Sequence, residues 1–128
     1  MKELKKILLL LLLSSSVIAA DIYDEIANSI RTGDAKQLAT FFGNSIDLTI
    51  MEKENVYSKA QAEFILKDFF GKNPPKSFTI LHKGSSPEGT QYAIGNLITS
   101  SGKTFRISFY IKNNNGKFVL QELRIETE

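Results

Sequence analysis

"SKAQAEFILKDFFGKNPPKSFTILHK", residues 58–83, changes its hydrophobic period partway along, and that change decides the fold. In the first half Ser58 and Gln61 have the spacing of a helix capping box, and Ala62, Ile65, Leu66 and Phe69 follow at i, i+3, i+4 and i+7. Phe64 and Phe70 flank that stripe. Gly71 is the expected C-terminal cap, and Pro74 bars resumption because the residue before a proline is pushed toward extended backbone. Beyond the prolines the period drops to two. Phe78, Ile80 and His82 alternate with polar or outward positions, which predicts a strand over Ser77–Lys83. By parity His82, the chain's one histidine, shares the apolar face of Phe78 and Ile80 and ends at the rim of a sheet.

Upstream of this stretch the pattern is helical. Ile22, Ile26 and Ile30 mark one apolar face, with Asp21, Asp24 and Glu25 in the first turn, where the helix dipole favours negative charge. Gly33 suits a left-handed helix end, Asp34 with Gln37 caps a second helix carrying Leu38, Phe41 and Phe42, and Gly43 is expected to stop it. Ile46, Leu48 and Ile50 then alternate as a half-buried strand, and after a polar turn at Glu52–Asn55 Val56 and Tyr57 form a short return strand.

Downstream the chain reads as sheet. Thr90–Ser100, Thr104–Lys112 and Lys117–Glu126 are strand candidates, joined by "SG" and "NNNG" where positive φ is needed. Phe105, Ile107, Phe109 and Ile111 alternate with Arg106, Ser108, Tyr110 and Lys112, so one face is dry and the other wet. The order α-α-β-(β)-α-β-β-β-β predicts an α+β domain, with helices on one face of a curved, mostly antiparallel sheet.

This order resembles the nuclear-transport-factor-2-like (cystatin-like α+β cone) superfamily, in which helices pack inside a bent sheet. "VYSKAQAEFILKDFF" is similar to its third-helix entry and "GKFVLQELRIE" to its closing strand. Within it the chain most resembles a branch of small exported bacterial proteins of unassigned function. The superfamily hosts enzymes, ligand binders and docking subunits, so the resemblance implies a fold and leaves the site to be argued separately.

The N-terminus is read apart from the fold. "MKELKKILLLLLLSSSVIAA" has a basic start, an apolar run from Ile7 to Leu13 and small residues to Ala20. That is the layout of a signal peptide cleaved after Ala20, and the run is too short to span a bilayer. Residues 21–128 are then one exported domain, periplasmic or secreted, free of the membrane once the signal is cut. With no cysteine it is no lipoprotein, has no disulfide and offers no thiolate to a nucleophilic or zinc site. The mature chain carries 13 basic and 13 acidic side chains, scattered along it, so it has no electrostatic funnel for nucleic acid.

Candidate site residues follow from register. A two-residue turn at Ser101-Gly102 sets Ser100 against Lys103 and Asn96 against Ile107. A four-residue loop at Asn113–Gly116 sets Lys112 against Lys117 and Ile107 against Glu122. Asn96 and Glu122 then point into the cone, with Tyr92 and Ile94 on the same face. Continued past Leu120, however, that register buries Arg124 and exposes Leu123 and Ile125. A β-bulge at Gln121-Glu122 corrects it and turns Glu122 outward, which is the preferred reading. The candidate pocket set is Tyr57, Phe78, His82, Tyr92, Asn96, Phe109 and Glu122. No catalytic residue, metal site or cofactor is assigned, because no nucleophile elbow, metal spacing or phosphate loop is present. The reading favoured is a non-enzymatic binding module, taking a small apolar ligand in the cone or a protein partner, including a second copy, on the sheet face. The alternative is a cofactor-independent isomerase or dehydratase working by proton transfer, with Asn96 orienting the substrate and Glu122 as base.

Overall fold

The structure, a computed structural model, describes residues 22–128. The signal peptide read at residues 1–20 lies outside the described residues. Two helices come first, α1 (Ile22–Thr32) and α2 (Ala35–Ala39), then the hairpin of β1 (Phe42–Ile50) and β2 (Lys53–Ser58). Helix α3 (Lys59–Lys72) follows directly, and β3 (Pro75–Ser85), β4 (Gln91–Thr99), β5 (Thr104–Asn114) and β6 (Lys117–Thr127) complete the chain. The six strands form one sheet in the order β2-β1-β6-β5-β4-β3. All neighbours are antiparallel except β1 and β6, which run parallel. The α+β architecture with helices first and a curved, unclosed sheet is as the sequence predicts.

The helix signals act locally. Ile26 and Ile30 of α1 are fully buried, and the chain turns after it through Gly33 at φ 66°. The Asp34 carboxylate accepts the Gln37 N–H at 3.0 Å, which starts α2. At α3 both halves of the capping box form: the Gln61 N–H donates to Ser58 Oγ, and the Ser58 N–H donates to Gln61 Oε1, each at 3.3 Å. Two glycine assignments are corrected. Gly43 lies inside β1, because Thr40 already closes α2 by donating its hydroxyl to the Gln37 carbonyl at 2.6 Å. Gly71 lies inside α3, and Asn73 ends that helix by donating its backbone and side-chain N–H groups to the Phe69 carbonyl.

The core lies between the helices and the inner sheet face. Leu48 of β1, Leu97 of β4, Phe109 and Ile111 of β5, and Leu120, Leu123 and Ile125 of β6 meet Ile26, Ile30, Leu38 and Leu66 from the helices. Burying a side chain of this size contributes about 1.5–3 kcal/mol, so this layer dominates the stability of a chain without disulfides.

Register is where prediction and structure part. The β5–β6 turn is the two-residue Asn115-Gly116, both at positive φ, and Lys117 faces Asn114 where Lys112 was expected. The β4–β5 connection is a three-residue loop, Ser100–Gly102. In it the Thr99 hydroxyl accepts the Lys103 N–H at 3.1 Å, and Gly102 adopts φ 89°. Asn96 therefore pairs with Arg106, and Gly95 takes the place opposite Ile107. That one-residue slip puts Tyr92, Ile94 and Asn96 on the outer face, which corrects their inward assignment. The bulge expected at Gln121-Glu122 is present: Tyr110 pairs with Glu122 and Ile111 with Leu120, leaving Gln121 over. Glu122 accordingly faces out, while Leu123 and Ile125 are fully buried. An unforeseen bulge at Leu81 does the same to β3. Ile80 pairs with Gly95 but His82 pairs with Ile94, so His82 crosses to the outer face and is exposed.

Candidate functional site

The two faces of the sheet carry different chemistry. On the helix side, α3 leaves β2 at once through the Ser58 cap, and a gap lined by β1, β2 and α3 lies between them. The gap is a half-open cavity of about 260 Å³. Leu48 and Ile50 from β1 form its floor, Ile65 and Phe69 from α3 its wall, and Tyr57 of β2 one side. Its rim carries Lys53, Asp68, Lys72 and Asn73. Asp68 and Lys72 are tied to each other at 3.1 Å, one helical turn apart. Phe64, the most exposed large apolar side chain among the described residues at 74 %, stands next to this opening on α3.

Of the predicted pocket set, Tyr57 lines this cavity. Phe78 and Phe109 are inward but buried in the core, 2 % and 0 % exposed, and do not line it. Phe78 lies across Gly95: a Cβ there would meet the ring at 2.7 Å and the Thr79 carbonyl at 2.5 Å. Phe69, one of the interior aromatics that suggest a small apolar ligand, lines the cavity too, whereas sequence reasoning missed Leu48, Ile50 and Ile65. They carry the same apolar signal as other core positions, and periodicity does not say which of those border a gap.

His82, Tyr92, Asn96 and Glu122 lie on the outer face, so they do not converge with Tyr57 in the cone. There they form rows across the strands. One row runs Gly84, Tyr92, Tyr110, Glu122, Asp47 and Val56, and the next His82, Ile94, Ser108, Arg124, Thr49 and Glu54. The Tyr92 ring covers Gly84 and sits 5.9 Å from that of Tyr110. Tyr92 Oη and His82 Nε2 are 3.4 Å apart, a long contact in an exposed setting.

The acidic end of these rows is the electrostatic centre of the face. Asp47, Glu54 and Glu122 each offer an oxygen, and the three lie within 4.8 Å of one another. Glu54 also accepts the Thr49 hydroxyl at 3.3 Å. Asp47 Oδ1 is buried without a hydrogen-bond partner. Partial burial, and after it the neighbouring Asp47 charge, raises the Glu122 carboxyl above its ordinary range, against the opposing pull of Arg124. Arg124 stands 3.8 Å from Glu122 and 3.1 Å from Glu126. Oxygen-only sets of this kind suit hard divalent cations, although here the guanidinium already supplies part of the positive charge. No motif announces the cluster, because its members come from three strands, two of them joined by the parallel pairing.

The family profile described as "Domain of unknown function (DUF4783)" matches residues 23–126. Among solved structures, a DUF4783 family protein from Bacteroides uniformis ATCC 8492 is similar at TM-score 0.77 and 24 % identity, over 84 % of this chain and 98 % of that one. A second, from Bacteroides fragilis YCH46, is similar at TM-score 0.75 and 24 % identity, over 81 % and 96 %. A protein called "Rd1NTF2_04 with long sheet" is similar at TM-score 0.65 and 15 % identity, over 80 % and 94 %. At these identities the likeness is one of fold, and it agrees with the nuclear-transport-factor-2-like resemblance. No curated protein matches the chain.

Proposed function

Since the chain belongs to the DUF4783 family, a domain of unknown function, we propose a role drawn from its own surfaces: a non-enzymatic module that binds a small apolar ligand in the helix-side cavity. The supporting observation is the cavity itself, with a floor and wall of Leu48, Ile50, Ile65 and Phe69 and polar groups confined to its rim. Binding sites for small molecules have this composition, an apolar concavity with a few polar groups that orient the ligand. The proton-transfer alternative loses support, because His82, Tyr92, Asn96 and Glu122 lie across the sheet from the cavity. The basic start and apolar run of the first twenty residues support export to the periplasm or beyond.

Native mass spectrometry of the protein purified from its own host tests the reading. A bound small molecule is expected in the wild type and lost in Ile65→Trp, which fills the cavity. A wild type that stays unliganded and shows no chemical-shift change at Tyr57 or Ile65 with any of a panel of apolar compounds would overturn it. The same protein's N-terminal residue checks export, with Asp21 expected.

A second reading concerns the outer face, where Asp47 Oδ1 and Asn96 Oδ1 are both buried without a donor. Both atoms are closed even to water, so a protein partner or a second copy would pack instead on the half-exposed Tyr92, Ile94 and Tyr110 of the same face. Sedimentation of the wild type against Tyr110→Glu separates a dimer through the face from a monomer.

A further inference from the structure

We infer that the helix-side cavity selects an apolar monoanion, a carboxylate on an aliphatic or aromatic body of about eight carbons, with Lys53 reading the charge. The inference rests on the binding reading above and names the ligand class for the same site. Size comes first. An apolar cavity of about 150 Å³ takes up benzene, and this one is about 260 Å³. It therefore admits a body between one and two such rings, which excludes long-chain lipids held at full length.

Charge comes second. Three ionisable side chains stand at the rim, and two of them cancel: Lys72 Nζ lies 3.1 Å from Asp68 Oδ2. Lys53 is the third. It pairs with Ile50 across the β1–β2 hairpin, so its side chain rises on the cavity's face of the sheet. Among the described residues it has no carboxylate partner. The mouth thus carries one uncompensated positive charge above an apolar floor. Tyr57, also in the lining, makes no side-chain hydrogen bond among the described residues, so its hydroxyl is a second free donor. Lys53 and the Tyr57 hydroxyl can both donate to a carboxylate, which accepts only. A neutral ligand leaves Lys53 as it was, and an ammonium is repelled.

Octanoate, octanol and octylammonium share one tail and differ in the head, so isothermal titration with each at low salt is the test. Octanoate is expected to bind about fivefold more tightly than octanol, the upper end for an exposed ion pair, and octylammonium more weakly than both. The preference should shrink at about 0.5 M salt, where screening is within a few ångströms. Lys53→Gln, an exposed position whose thermal midpoint should not move, is expected to leave octanol binding intact and bring octanoate down to it. If octanol binds as well as octanoate, or if Lys53→Gln keeps the preference, the cavity stands and the anion inference is overturned. If none of the three binds and none shifts the Tyr57 or Ile65 amides, both fall.

Discussion

Asp47 and Glu122 stand opposite each other across the parallel pairing of β1 and β6, two carboxylates in one row of the sheet. Burial, then the Asp47 charge, raises the Glu122 carboxyl above the ordinary 4.5. A raised folded value means that, as pH climbs through the interval above 4.5, the folded chain keeps a proton the unfolded chain has lost. Stability therefore falls with rising pH across that interval, and the loss persists at neutrality.

Glu122→Gln removes that term. The expected outcome is a thermal midpoint about 1–3 °C higher at pH 7, with the difference vanishing near pH 4. Asp47→Asn relieves the same repulsion from the other side, so the double variant should gain less than the sum of the two. Scanning calorimetry at several pH values checks both, and a Glu122→Gln midpoint below wild type at pH 7 contradicts the argument.

Gly95→Ala tests the packing of Phe78. The new methyl would meet the Phe78 ring and the Thr79 carbonyl below normal contact distance, and backbone on one side cannot swing away. Overpacking of this kind costs about 1–3 kcal/mol, measurable in urea. Gly84→Ala, facing the movable and partly exposed Tyr92 ring, should cost less.

Ser58→Ala removes one half of the capping box that starts α3. The expected loss is about 1 kcal/mol, seen in chemical denaturation. Since Ser58 also sets where α3 leaves β2, the amide signals of Tyr57 and Ile65 should move with it, while those of β4 and β5 stay.

Leu66→Ala opens a void beneath α3, where Leu66 is fully buried. A loss of about 2–5 kcal/mol is expected. The position does not line the cavity, so ligand binding by the folded fraction should be kept.

Much of this architecture was legible in the sequence, and the exceptions have physical causes. The alternation of Phe105 to Ile111 fixed the dry face of β5 correctly, because that strand has no interruption. Gln121 was legible as a bulge, since without it Leu123 and Ile125 would face water. The length of the loop after β4 is not legible from its dipeptide, because it depends on Thr99 accepting the Lys103 N–H, a bond that dipeptide turn rules do not contain. The two-residue reading carried Tyr92 and Asn96 to the wrong face. His82 was misplaced because Leu81, 62 % exposed, bulges from an edge strand whose pattern reads equally well without a bulge. The cavity was legible only through Tyr57 and Phe69, since its other apolar walls, Leu48, Ile50 and Ile65, read as ordinary core positions.

The parallel pairing also decides where the sheet is joined. β6, the last of the six strands in chain order, is not an edge but the seam of the sheet, with β1 on one side and β5 on the other. Until its eleven residues are in place, the β1–β2 hairpin and the β3–β5 meander share no ladder and meet through the helices, where Arg31 of α1 donates to the Phe78 carbonyl of β3. Hairpin and meander each expose the backbone edge meant for β6. The sheet is thus continuous only through this strand, and a fault in it strikes the sheet's centre.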